Sequence, residues 1–338
     1  MIVVLKPELP QEAIAAVVAE VEKLGYEARV IQGRCQTIVA ALGDERKGHS
    51  LETLTALPQV ENVLRVQKRY KLVSREAHPA DTVVVSRGVR IGGGEKFCVM
   101  AGPCSVESRE QLFTTARAVK ERGAVFLRGG AFKPRTSPYE FQGLGEEGLK
   151  MLAAARDEFD LGVITEVLAE KDVELVARYA DILQIGARNA QNFALLTAAA
   201  KTGLPILLKR GLSMRIEEWL LAAEYVLAAG NPNVILCERG IRTFETYTRN
   251  TLDLSTIPIV KKESHLPIII DPSQGCGRAD LVVELCKGAA ALGADGLLIE
   301  VHPNPAEAWS DGQQQVDPEH FGRLMEALPP FARAAGRP

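Results

Sequence analysis

The chain has no uninterrupted apolar run of about 18 residues, so nothing in it reads as a membrane-spanning helix. It opens Met1-Ile2-Val3-Val4-Leu5, too short and strand-like for a signal peptide. An excess of positive charge is absent as well. Lys and Arg number 40 against 43 Asp and Glu, a formal net charge of −3. No overall basic field points to nucleic acid or to a membrane surface, so any anion binding must come from local clusters of Arg and Lys. Cysteine is scarce: Cys35, Cys98, Cys104, Cys237, Cys276 and Cys286 form no CxxC pair and no disulfide framework. That pattern fits a reducing cytoplasm, and most of these thiols read as small buried hydrophobes. What remains is ordinary: 338 residues, 46% hydrophobic and 25% charged, a globular composition long enough for two domains.

The first block runs from Met1 to about Lys71. Met1–Leu5 reads as a strand. Pro10–Leu24 places Ile14, Val17, Val18, Val21 and Leu24 at helical spacing, and Gly25 follows as a stop. Glu27–Gln32 and Gln36–Leu42 read as a strand pair around Gly33-Arg34. A short helix near Ser50–Ala56 and a strand over Val60–Val66 complete a βαββαβ order, the ferredoxin-like split motif. Residues 1–71 therefore predict a small domain with nothing catalytic in it. The polar stretch 72–95, with Pro79, Gly88 and Gly92-Gly93-Gly94, reads as a linker with room for a short hairpin.

From 96 to 338 the pattern changes. Short apolar runs recur eight times: Phe97–Ala101, Ala124–Leu127, Gly162–Thr165, Ile182–Ile185, Pro205–Leu208, Val234–Cys237, Pro267–Ile270 and Asp295–Ile299. Helix-patterned segments such as Ser108–Arg122, Ala190–Thr202, Ile216–Ala229 and Ala279–Leu292 lie between them. Fully apolar strands alternating with helices imply a parallel sheet, and eight repeats suit a (β/α)8 TIM barrel. A doubly wound open sheet is the alternative, but no GxGxxG fingerprint follows a strand to support it.

In such a barrel the chemistry sits at the C-terminal ends of the strands, and there the polar residues fall. Six basic residues converge from four strand ends: Arg128, Lys133, Arg135, Arg188, Lys209 and Arg239. So many cations on one rim would repel one another unless anions sat among them, which predicts polyanionic substrates, most simply two phosphorylated molecules. Cys104, Glu300 and Asp311 add a soft thiolate and two carboxylates to the same face. That mix suits a divalent transition metal; it also suits a buried cysteine beside two solvated acids. His302 reads as a ligand or as a packing residue.

At these residues the sequence resembles a known family. Ala101-Gly102-Pro103-Cys104-Ser105, Leu127-Arg128-Gly129-Gly130-Ala131-Phe132-Lys133-Pro134-Arg135-Thr136-Ser137-Pro138, Gln184-Ile185-Gly186-Ala187-Arg188-Asn189, Leu208-Lys209-Arg210-Gly211 and Cys237-Glu238-Arg239-Gly240-Ile241-Arg242-Thr243 match the 3-deoxy-D-arabino-heptulosonate 7-phosphate synthases. So do Asp271-Pro272-Ser273, Ile299-Glu300-Val301-His302-Pro303 and Ser310-Asp311-Gly312. The resemblance covers the whole barrel, and the N-terminal block is similar to the branch with a ferredoxin-like regulatory extension. It implies condensation of phosphoenolpyruvate with erythrose 4-phosphate and water, the first step of the shikimate pathway. It places Arg128 and Lys133 at the phosphoenolpyruvate carboxylate, and Arg188, Lys209 and Arg239 at its phosphate. Arg135, Thr136 and Ser137 would hold the phosphate of erythrose 4-phosphate, Lys133 would relay a proton, and Cys104, Glu300 and Asp311 would bind a divalent metal (Mn, Fe, Zn, Co or Cu). An aromatic amino acid effector, tyrosine or phenylalanine, and a homotetramer are implied too. The octulosonate-phosphate synthases are the nearest alternative; their loop differs where this chain has Lys133-Pro134-Arg135-Thr136-Ser137, the segment that selects a tetrose over a pentose phosphate.

One position departs from the pattern. The family carries a metal-ligating histidine after Asp-Pro-Ser, and here the residue is Gln274. An amide oxygen is a harder and weaker donor than imidazole for transition metals. Three readings stay open: a weaker metal site through Gln274 or a water, substitution by Cys276, or a weakened barrel with a regulatory or partner-binding role.

Overall fold

The structure, a computed structural model, describes residues 1–32, 37–43, 50–64 and 68–338. Cys35, the expected turn at Gly33-Arg34, Gln36, Arg65 and Val66 lie outside the described residues. The chain divides into two compact units, Met1–Arg69 and Tyr70–Pro338.

In the first unit β1 (Ile2–Leu5), β2 (Glu27–Gln32), β3 (Thr37–Leu42) and β4 (Val60–Leu64) pair antiparallel in the order β2-β3-β1-β4. The helix Gln11–Lys23 turns Ile14, Val17 and Val21 to one face, and that apolar stripe packs on Val3, Leu5 and Val39 of the sheet. Gly25 takes a φ of +91°, which lets the chain leave the helix toward β2. The expected second helix is a 3-10 helix, Leu51–Ala56, capped by Ser50. Pro58 follows directly and holds Leu57 extended, so the turn cannot lengthen. The fold is ferredoxin-like.

The second unit opens with a hairpin, β5 (Val83–Ser86) and β6 (Val89–Gly92). A closed eight-stranded parallel barrel follows: β7 (Cys98–Gly102), β8 (Phe126–Arg128), β9 (Gly162–Glu166), β10 (Ile182–Ile185), β11 (Ile206–Lys209), β12 (Val234–Glu238), β13 (Ile268–Ile270) and β14 (Gly296–Glu300), each beside the next, with β14 closing on β7. The open sheet considered as the alternative is excluded. Alternation decides which side chains face where. Cys98, Met100, Phe126, Ile164, Leu207, Ile235 and Leu298 fill the interior. Val99, Ala101, Leu127, Val163, Leu208 and Leu297 face the helices.

The stretch 72–95, expected as a linker, is folded onto this unit. Tyr70 and Val73 belong to the core between strands and helices. In the hairpin Val84 and Ile91 pair directly. Both are fully buried against Cys98, Phe126 and Ile182, the first residues of three barrel strands. The hairpin therefore plugs the N-terminal end of the barrel, and the apolar face of its short strands is the reason it is not a free connector.

Candidate active site

The mouth opposite that plug holds a polar cavity of about 290 Å³. Lys133, Arg135, Thr136, Arg188, Lys209, Arg239, Gln274 and Asp311 line it, with Glu166, Arg242, Arg249 and Asn250. Arg128, Cys104 and Glu300 lie beneath the lining residues, and Ser137 lies outside it. The Ser137 hydroxyl accepts the Tyr139 N–H at 3.3 Å, a turn contact within the loop.

Backbone pairing carries several of these residues. Arg128, Glu166, Lys209 and Glu300 end β8, β9, β11 and β14, so they remain in the sheet and project from a rigid rim. Gly186 follows β10 because a Cβ there would stand 1.9 Å from Glu166 Oε1. The loop after β8 brings Lys133 back over Cys104: its Nζ donates to the Cys104 carbonyl and to Sγ, both at 3.0 Å. Arg128 donates to Pro103 O at 2.6 Å and to Glu300 Oε1 at 3.1 Å. Lys209 Nζ pairs with Asp271 Oδ2 at 2.5 Å, both side chains buried. Arg135 is held by Glu140 at 2.8 Å.

The cations outrun their partners. The Nε and Nη1 of Arg239 and the Nε of Arg128 are buried with no hydrogen-bond partner. Burial, aided by nearby Arg249, holds the Arg239 guanidinium below its ordinary value despite Asp271. A buried arginine with two unpaired nitrogens facing a cation-lined cavity is suited to an anion with several oxygens. Glu166 is the counterpoint: burial raises its carboxyl although Lys133, Lys209, Arg128 and Arg188 pull the other way.

The four expected metal donors meet only in part. Cys104 Sγ donates to Asp311 Oδ2 at 3.5 Å, and burial, then Glu300, push the thiol up to about 11 against Lys133. Burial works to raise Glu300, but Arg128 and Lys133 outweigh it. For Asp311 burial is likewise outweighed, by Arg249 and Lys133. Gln274 accepts from Lys209 Nζ and Arg239 Nη2, each at 3.3 Å, and donates to Glu300 Oε1 at 3.3 Å. Gln314 takes the other Glu300 oxygen at 2.6 Å. Among the described residues no group of three or more His, Cys, Asp and Glu could hold a metal ion. The donor set does not fit the divalent metal that the family resemblance implies.

Cys276 points elsewhere, its thiol donating to Pro272 O and Arg278 O, so it does not replace the histidine. His302 is a packing residue: Nε2 meets Glu107 Oε2 at 3.2 Å and Nδ1 accepts the Asn304 N–H. Sequence reasoning gave no role to Arg242, although it lies in a matched motif, and left out Arg249, Asn250, Gln314 and Gln315. Arg249 donates to Asp311 and Gln314, and Gln315 accepts the Cys104 N–H at 3.0 Å. None of these five ends a strand, the feature that marks Arg128, Lys209 and Glu300.

Comparison with known proteins gives the family. Residues 72–330 match the DAHP synthetase I family, and residues 1–68 match the DAHP synthase ferredoxin-like domain. The chain is 53% identical over 336 residues to phospho-2-dehydro-3-deoxyheptonate aldolase of Thermotoga maritima, covering 99% of both chains. It is 34% identical to 2-dehydro-3-deoxyphosphooctonate aldolase of Caulobacter vibrioides, over 71% of this chain and 89% of that one. The crystal structure of the Thermotoga maritima phospho-2-dehydro-3-deoxyheptonate aldolase superposes with a TM-score of 0.93 at 52% identity, covering 99% of this chain and 98% of that one. Among the described residues no helix is long and apolar enough to cross a membrane. A cation-rimmed barrel mouth, a ferredoxin-like unit before it and matches along nearly the whole length lead to one assignment: the chain belongs to the DAHP synthetase I family, in which DAHP is 3-deoxy-D-arabino-heptulosonate 7-phosphate.

Proposed function

We propose that the chain condenses phosphoenolpyruvate with erythrose 4-phosphate and water to give 3-deoxy-D-arabino-heptulosonate 7-phosphate and phosphate, the first step of the shikimate pathway. The observation that carries this reading is the cavity itself, which Lys133, Arg135, Thr136, Arg188, Lys209 and Arg239 line together. Two phosphorylated substrates can be held with their reacting carbons together, which removes most of the entropic barrier to a bimolecular step.

The residue roles are those that the family resemblance implies. Lys209, Arg239 and Arg188 grip the phosphoenolpyruvate phosphate, and Lys133 with the deeper Arg128 takes its carboxylate. Arg135 and Thr136 hold the phosphate of erythrose 4-phosphate, with Ser137 shaping the loop. Carbon 3 of phosphoenolpyruvate bonds to the aldehyde carbon, and the aldehyde oxygen takes a proton from Lys133. Water adds at carbon 2 and gives up a proton that restores Lys133. The bond from carbon 2 to the phosphate oxygen then breaks, and the hydroxyl proton on carbon 2 passes to the departing phosphate, leaving the ketone and free phosphate. Glu166, whose carboxyl favours its proton more than usual, is placed to take the water's proton on the way. No step is assigned to Cys104, Glu300 or Asp311 beyond fixing Lys133 and Arg128.

In this reading residues 1–71 exert control by tyrosine or phenylalanine in a cytoplasmic homotetramer. The substrate assignment is tested by competing erythrose 4-phosphate against arabinose 5-phosphate in one phosphate-release reaction. The Lys133–Ser137 loop should favour the tetrose; a clear preference for the pentose overturns the assignment in favour of octulosonate chemistry.

A further inference from the structure

Gln274 has two unlike ends, and its surroundings decide which way they point. The carbonyl oxygen faces the Lys209 ammonium and the Arg239 guanidinium, and the N–H faces the Glu300 carboxylate. Turning the amide over would set donors against two cations and an acceptor against a carboxylate. The one atom of Gln274 able to ligate a metal is therefore directed at the phosphate-gripping cations and away from Glu300.

The remaining donors are committed as well. Glu300 gives Oε1 to Arg128 and Gln274 and Oε2 to Gln314. Asp311 pairs with Arg249 at 3.3 Å. The Lys133 ammonium stands 3.0 Å from Cys104 Sγ. Arg128, Lys133 and Arg249 thus already set three positive charges against two carboxylates, and a divalent ion on Sγ would have to displace Lys133 or sit against it. Like charges at that range in a buried site are strongly unfavourable.

We propose that the barrel mouth of this chain works without a divalent ion: the Lys133 ammonium beside Cys104 is the electrophile for the aldehyde oxygen, and Gln274 is a positioning residue that ties Glu300 to Lys209 and Arg239. The inference rests on the condensation reading above, and its test separates the two. The full-length protein is exposed to EDTA, desalted, analysed for metals, and titrated with Mn²⁺ by calorimetry and with Co²⁺ by absorption, where a thiolate-to-cobalt band reports a metal on Cys104. The expected result is no stoichiometric metal, no heat, no band, and phosphate release unchanged in chelator. Gln274→Leu should raise the KM for phosphoenolpyruvate several-fold, and added Mn²⁺ should not restore it. One ion per wild-type chain with a cobalt band, chelator-sensitive turnover restored by Mn²⁺, or metal rescue of Gln274→Leu would each overturn the proposal. A Gln274→Leu variant with an unchanged KM for phosphoenolpyruvate would overturn the part given to Gln274. Absence of phosphate release under every condition would refute the condensation reading instead, and the metal titrations would still decide this one.

Discussion

Lys209 and Arg188 share one assigned task, yet removing them should have different consequences. Arg188 is exposed at the mouth, so Arg188→Ala deletes a charge-assisted contact to phosphate and little else. Such a contact contributes about 1.5–3 kcal/mol, which corresponds to roughly a 10- to 150-fold rise in apparent dissociation constant. Lys209→Ala deletes a contact of the same kind and also strands Asp271. The two side chains meet at 2.5 Å with exposures of 2% and 0%, so no solvent reaches the carboxylate left behind. Breaking a buried pair on one side costs about 3–5 kcal/mol of folding stability. Asp271 keeps only its cap on the Gln274 N–H at 2.9 Å, which offsets little of that. Adding Asp271→Asn removes the stranded charge and keeps a cap-competent side chain. The double variant should regain most of the lost stability and none of the lost affinity. Urea unfolding followed by far-UV circular dichroism gives the stability, and phosphate release at varied phosphoenolpyruvate gives the affinity. Equal unfolding midpoints for Arg188→Ala and Lys209→Ala, or recovery of affinity in the double variant, would refute the reasoning.

Two further outcomes follow from the fold and from Glu166. A chain beginning at Tyr70 should keep phosphate release and lose inhibition by tyrosine or phenylalanine, whereas one beginning at Gly93 also loses Val84 and Ile91 and should melt far lower, each buried aliphatic being worth about 2–5 kcal/mol; inhibition that survives in the first, or an unchanged melting midpoint in the second, counts against these roles. The raised carboxyl of Glu166 means that folding takes up a proton there, so its contribution is full below the ordinary carboxyl range and declines as pH rises toward the folded value. Glu166→Gln should therefore flatten that decline and raise the melting midpoint at neutral pH while slowing phosphate release, and a lower midpoint at neutral pH would show that the four cations, not burial, dominate the site.

What the sequence made legible, and what it hid, divides along a physical line. Eight apolar runs announced the barrel because each parallel strand is covered on both faces. The expected strands at Arg128, Glu166, Lys209, Glu238 and Glu300 stopped one residue early. Pairing does not end where side chains turn polar, since at the mouth a polar side chain still projects from a hydrogen-bonded strand. A short hairpin was legible in 72–95, but its packing on the barrel was not: among its apolar side chains only Val84 and Ile91 are fully buried, too short an alternation to mark a covered face. Arg249, Gln314 and Gln315 had no signal at all, because loops bring them to Asp311, Glu300 and the Cys104 backbone. Gln274 combines both cases. Its departure from the family pattern is visible in one letter. Its orientation depends on Lys209, Arg239 and Glu300, which lie 65, 35 and 26 residues away along the chain on three different strands or strand ends. A histidine there could be read as a ligand from its type alone, since imidazole nitrogen serves metals widely. An amide offers a donor and an acceptor of equal reach, so only the charges around it select which one faces the carboxylate, and that selection is what turns a substitution at a ligand position into a bridge between Glu300 and the phosphate site.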